Sequence, residues 1–227
     1  MEQTRASNDP APWGDSARPA VLRLLGLTAL PAVLLAARVI RTGSIVHKYV
    51  AWNLVLAWLP VAFAYLAVRP GRTPRLLRLG FGLGWILFLP NAPYLVTDLM
   101  HLHQGEVPIM YDVVLLFGAA LCGLSLGLVS LHWMEVTAAR MLGRWPGRLF
   151  GIAAAAAAGF GVYFGRYLRW NSWDLLVRPT ALVRDMLHTI AHPVQNWQAW
   201  GFALLFAALL LTAHRPVTVL LGAGQEK

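Results

Sequence analysis

Six stretches of this chain stay apolar for roughly the 20 residues that a helix needs to cross a hydrocarbon layer. They cover residues 21–40, 49–68, 76–95, 111–133, 149–168 and 197–213, the last being short for a full crossing. Lipid offers a backbone no hydrogen-bond partners, so each stretch must satisfy its own amides as an α-helix. The expected fold is therefore all-α, a polytopic transmembrane helix bundle of about six spans. Composition points the same way: 58% of the 227 residues are hydrophobic and only 13% are charged, about half the charge of a soluble domain. The domain plan is a polar tail over 1–20, one membrane domain over 21–213, and a second tail over 214–227. The first tail lacks a basic start leading into a short apolar core and a small-residue cleavage site, so the first helix is expected to be retained.

The net charge of +9 does not indicate nucleic acid, because the basic residues sit in short clusters between apolar segments and not along one polar face. They read as topology signals and as contacts to anionic headgroups of the lipid bilayer. Arg69, Arg72, Arg75 and Arg78 lie between the second and third segments, and Arg140, Arg144 and Arg148 between the fourth and fifth. The connection over 96–110 has no lysine or arginine. By the positive-inside rule the first two connections are cytoplasmic, the third lies outside, and both termini are cytoplasmic. Arg38, Arg41 and Lys48 in the first connection go against that arrangement. A single cysteine, Cys122, excludes an internal disulfide. It is expected about ten residues into the fourth helix, as a small core residue.

The polar residues cluster. Residues 88–103 leave an apolar segment and then present Pro90, Asn91, Pro93, Tyr94, Asp98, His101 and His103 within one short span. The two prolines each remove a backbone donor and disfavour helix just before them, so the arriving helix should kink or break. If helix resumes, Asp98 and His101 share a face. Under the six-span topology Trp52 and Asn53, residues 91–103, Tyr111 and Asp112, and Arg166 through Asp174 all reach the same side. Charges near hydrocarbon normally face the bundle interior and pair. Arg166 is the expected partner of Asp98 or Asp112, through two parallel hydrogen bonds. Asp98, Asp112 and Asp174 with nearby His101 also have the chemistry to bind a divalent cation or to act as acid and base; Asp98, His101 and Asp112 are the metal candidates. Against the site reading stands a structural one, in which the same groups tie helix ends together. Asn171 and Asp174 fit a helix cap better than a site, and Asn53 fits a bond between helices. His103 and Glu106 read as exposed loop residues.

The long connection over 166–196 should carry structure of its own. Pro179 can open a helix over 179–192 with Leu182, Val183, Met186, Leu187 and Ile190 on one stripe, opposite Arg184, Asp185, His188 and His192, lying along the membrane surface. His188 and His192 have ligand spacing but fit solvated histidines better. The alanines over 153–158 and Gly80, Gly82 and Gly84 should allow close helix packing. Trp52, Trp58, Tyr94, Trp133, Trp170, Trp173, Trp197 and Trp200 mostly fall near segment ends, as an aromatic belt would.

The motifs Trp52-Asn53, Pro90-Asn91-Ala92-Pro93-Tyr94, Thr97-Asp98-Leu99, His101-Leu102, Tyr111-Asp112, Gly165-Arg166 and Arg169-Trp170-Asn171-Ser172-Trp173-Asp174 resemble those of the bacterial membrane-protein family catalogued as domain of unknown function 1361. The resemblance spans about residues 51–174. It implies a multi-pass protein of the bacterial inner membrane and supplies no activity. Two functional expectations follow from the polar cluster. In the first, the outer face carries an enzymatic or metal-dependent site for a lipid-linked or periplasmic small molecule, with His101 moving protons, Asp98 and Asp112 orienting it or holding metal, and Arg166 holding an anion, while Asn53, Asn91, Tyr94, Asn171 and Asp174 bind. In the second, the protein is non-catalytic: a binding or assembly subunit or, less in keeping with the apolar helix centres, a small transporter.

Overall fold

The computed structural model describes residues 14–69, 73–102 and 107–222. His103, Glu106 and the outer parts of both tails lie outside them. The helices are α1 (Gly14–Thr42), α2 (Lys48–Val68), α3 (Arg75–Phe88), α4 (Asn91–Thr97), α5 (Ile109–Leu142), α6 (Arg144–Arg166), α7 (Asp174–Val177), α8 (Pro179–Ala191) and α9 (Trp197–Gly222), with a 3₁₀ turn over Asp98–His101 between α4 and α5. Among the described residues there is no strand, and six helical stretches are long and apolar enough to cross a membrane. The fold is an all-helical bundle and the chain is a multi-pass membrane protein.

The bundle is built around α5. Its apolar window is 67% buried, against 44% at most for any other span. With 34 residues at about 1.5 Å each it is longer than a hydrocarbon layer of about 30 Å. Leu115, Leu116, Ala119, Cys122, Leu126 and Leu131 supply its core face. Cys122 is buried, with its Sγ 3.1 Å from the Thr28 hydroxyl on α1. Trp58 on α2 donates to the same hydroxyl at 3.2 Å, so this small polar knot joins three helices inside the apolar layer. Trp133 is 2% exposed; it belongs to the core and not to an aromatic belt, because α5 runs well past the segment end expected from hydropathy.

Two local devices shape the bundle. Gly143 alone links α5 to α6, at φ +100°, a backbone region that side chains with a Cβ resist. The chain therefore reverses in one residue. The second device is the proline break. The third span stops at Phe88, turns through Leu89 and Pro90, restarts as α4 and tightens into the 3₁₀ turn. Glycines on the neighbours grip this broken segment: a Cβ on Gly123 of α5 would collide with the Ala92 carbonyl oxygen, and one on Gly161 of α6 with the Pro90 ring. Of the three glycines expected to allow close packing on α3, Gly84 lies against Phe63 while Gly80 has nothing within 4 Å; Gly80 faces away from the bundle. Ala154, Ala155 and Ala158 form the buried face of the alanine run.

One end of the bundle gathers the last turn of α1, the first of α2, the 3₁₀ turn, the start of α5, the end of α6, and α7 with α8. The opposite end is marked by the Gly143 reversal and by His214, whose Nδ1 lies 3.4 Å from Glu135 Oε2 and so ties α9 to α5.

Candidate functional site

At the first end, the Arg166 guanidinium is divided among three acceptors. Its Nη2 donates to Asp98 Oδ1 at 2.8 Å, its Nε to the Thr97 hydroxyl at 2.9 Å, and its Nη1 faces His101 Nε2 at 3.3 Å. The Tyr94 ring packs on its face, 4.8 Å from the charged carbon. The carboxylate is therefore held by one hydrogen bond from the arginine and not by two in parallel. Asp98 completes its bonding through Oδ2, which accepts from Asn53 Nδ2 at 2.8 Å. The 3₁₀ geometry explains why Asp98 and His101 reach the same partner: with three residues per turn, side chains three apart eclipse. A guanidinium only donates, so His101 Nε2 is the acceptor in this contact and the ring carries its hydrogen on Nδ1.

A second ion pair stands beside the first. Arg38 Nε donates to Asp112 Oδ1 at 3.0 Å, with both side chains 1% exposed or less. This explains the positive charge that fits poorly in the first connection: Arg38 is not a loop residue but a bundle residue, neutralised by the carboxylate at the start of α5. Tyr49 lies between the pairs, within electrostatic reach of all four charges. Its ring is 5.2 Å from that of His101 and 5.7 Å from that of His47.

Asp112 is thus committed to Arg38 and Asp98 to Arg166 and Asn53. Among the described residues no three His, Cys, Asp or Glu side chains are grouped closely enough to hold a metal, so the expected Asp98, His101 and Asp112 set does not converge on one ion. Asp174 turns to its own backbone, accepting from the Asn171 amide at 2.7 Å and so fixing the turn into α7. His188 and His192 stack at 4.6 Å on the exposed side of α8.

Next to the ion pairs is a pocket of about 510 Å³ between the start of α2, the end of α3, α4, the end of α6, and α7 with α8. Asn53 and Tyr94 line it while also belonging to the Asp98–Arg166 network. Asn91 lines it too; its Nδ2 donates at 3.0 Å both to the Phe88 carbonyl and to the Ser172 hydroxyl. Asn171 and Trp170 complete the polar part. Leu182 and Met186 reach the pocket from α8, whereas Val183, Leu187 and Ile190 on the same helix are exposed. The apolar stripe of α8 therefore divides, one edge roofing the pocket and the other facing away. Trp170 latches the roof by donating to Asp185 Oδ2 at 2.9 Å. All the described parts of the motifs noted in the sequence thus lie in or around one end of the bundle.

The model of a family described as protein of unknown function matches residues 52–213. The chain belongs to this family, DUF1361. Comparison of this DUF1361 protein with curated proteins and with solved structures finds no match. The match begins at the pocket residue Trp52 and takes in Asp98, Arg166 and the α7–α8 roof. Arg38 and Tyr49 lie before it. Sequence reading assigned neither a place in the site: Arg38 sits in an apparent loop charge cluster, and Tyr49 opens a hydrophobic segment.

Proposed function

We propose that this protein holds an amphipathic, membrane-borne molecule in the pocket beneath α8, and that the Asp98–Arg166–His101 network fixes one wall of that pocket. The observation that carries this reading is the double membership of Asn53 and Tyr94: each lines the pocket and each touches the ion pair. The pocket's volume falls within the range of roughly 300 to 1,000 Å³ common for small-molecule sites, and an apolar lining with a few convergent polar groups is the usual composition. The loop charges support a site on the periplasmic side of a bacterial inner membrane with both termini cytoplasmic. The test is native mass spectrometry of the full chain released from lipid nanodiscs. Ala157 is an exposed pocket residue, so Ala157→Phe fills the cavity without entering the core. Wild type should retain a bound amphiphile and Ala157→Phe should lose it; equal retention by both overturns the reading.

A second reading, an enzyme using His101 as its proton-transfer group, is favoured by one observation. His101 is half-buried, and among the described residues its Nδ1 makes no hydrogen bond. His101→Gln can still offer an oxygen acceptor to Arg166 but cannot carry a proton. Turnover of the pocket's molecule in wild type and its loss in His101→Gln, with binding unchanged, would place chemistry at this site; binding without turnover in both keeps it a binding protein.

A further inference from the structure

We infer that the head of the pocket's ligand is uncharged and rich in hydroxyl groups, the chemistry of a neutral glycolipid. This rests on the reading of the pocket as an amphiphile site. The first reason is electrostatic. In a chain of net charge +9, the pocket lining contains no Asp, Glu, Lys, Arg or His side chain among the described residues. The adjacent arginine and aspartate neutralise each other behind Tyr94 and Asn53. A phosphate or carboxylate entering this space would leave water without gaining a counter-charge from this lining, which is unfavourable near hydrocarbon.

The second reason is the polarity of the hydrogen bonds that remain on offer. The Asn53 NH₂ gives one hydrogen to Asp98, so its second N–H and its Oδ1 are left. Both donors of Asn91 are taken, by the Phe88 carbonyl and the Ser172 hydroxyl, so it has only its Oδ1 left. The Ser172 hydrogen goes to the Leu87 carbonyl at 3.2 Å. Asn91 thus presents an acceptor alone, and Asn53 presents an acceptor and one donor. An anionic head consists of acceptors and would meet both amide oxygens like against like, whereas a hydroxyl can donate to either oxygen and also accept from the Asn53 N–H. The Asn171 side-chain amide and the Tyr94 hydroxyl make no hydrogen bond among the described residues, and both can donate to or accept from a polyol. The indoles of Trp52 and Trp170, in the same lining, offer apolar faces to the C–H side of a sugar ring. Leu56, Leu83, Phe164 and Met186 provide for the tail.

The experiment uses the full chain in nanodiscs doped in turn with monoglucosyl diacylglycerol, phosphatidylglycerol and diacylglycerol without a head, read by native mass spectrometry. Asn171→Ala is the matched variant, since the Asn171 side chain holds nothing within the fold. The expected result is about tenfold tighter retention of the glucosyl lipid than of either other lipid, equivalent to about 1.4 kcal/mol, with most of that preference lost in Asn171→Ala. Preference for phosphatidylglycerol overturns the inference, as does equal retention of all three, while either leaves the amphiphile pocket standing. Retention of none, with Ala157→Phe indistinguishable from wild type, overturns the pocket itself.

Discussion

Arg166 and Asp98, 68 positions apart in the chain, meet through a 2.8 Å hydrogen bond with the aspartate 1% exposed. That one contact fastens the end of α6 to the broken third span and brings Asn53 and Tyr94 into a common wall. Removing either partner leaves the other charge buried without its counter-ion, which costs about 3–5 kcal/mol where it has been measured. Asp98→Ala and Arg166→Ala should each lower stability in detergent by an amount of that order. The double variant should cost less than the sum of the two. Denaturation of all four proteins checks this, and strict additivity would show that the pair does not act as a unit.

The Arg38–Asp112 pair should behave differently when replaced by apolar groups. Both side chains are enclosed by the bundle, so Arg38→Met or Asp112→Leu alone strands a charge, whereas the two together remove a desolvation cost. The single variants should lose folded yield, and Arg38→Met/Asp112→Leu should recover it to wild-type level or above. Size-exclusion profiles of the purified proteins measure this directly.

Glycine substitutions should separate by position. A Cβ at Gly123 meets the Ala92 carbonyl, so Gly123→Ala must push α4 off α5 and should cost about 1–3 kcal/mol. Gly80 has open space around it, so Gly80→Ala should be neutral or stabilising, by up to about 1 kcal/mol from helix propensity. A shift in thermal midpoint of the same size for both would contradict the packing described.

Orientation is accessible through the single native cysteine, which is buried. In a Cys122→Ala background, Ile45→Cys and Arg144→Cys occupy exposed positions at opposite ends of the bundle. A membrane-impermeant maleimide applied to intact cells should label Ile45→Cys and leave Arg144→Cys unlabelled until the membrane is opened. The reverse pattern would place the pocket on the cytoplasmic side.

Much of this was legible in the sequence because it rests on local chemistry. Uninterrupted apolar length fixed the spans, Pro90 and Pro93 marked the break, and the three-residue spacing of Asp98 and His101 put both on one face. Arg166 was identifiable as a partner because loop charge put its helix end on the same side. The choice between Asp98 and Asp112 was not legible, since it depends on how α1 is rotated against α5, and hydropathy says nothing about rotation. For the same reason Arg38 read as a loop charge. The division of the α8 stripe was hidden because a pocket roof and a lipid-facing edge call for the same apolar residues. Asp174 was ambiguous because a carboxylate that fixes a turn and one that faces a site look alike until the backbone is placed.

The most direct test is an electron cryomicroscopy map of the protein in lipid nanodiscs. The account predicts Arg166 on Asp98 and continuous density in the space bounded by Asn53, Asn91, Tyr94 and Asn171, with its head at the amides and its tail beneath Met186. A map in which Leu182 and Met186 close down to fill that space, or in which Asp98 and Arg166 lie apart, would contradict it.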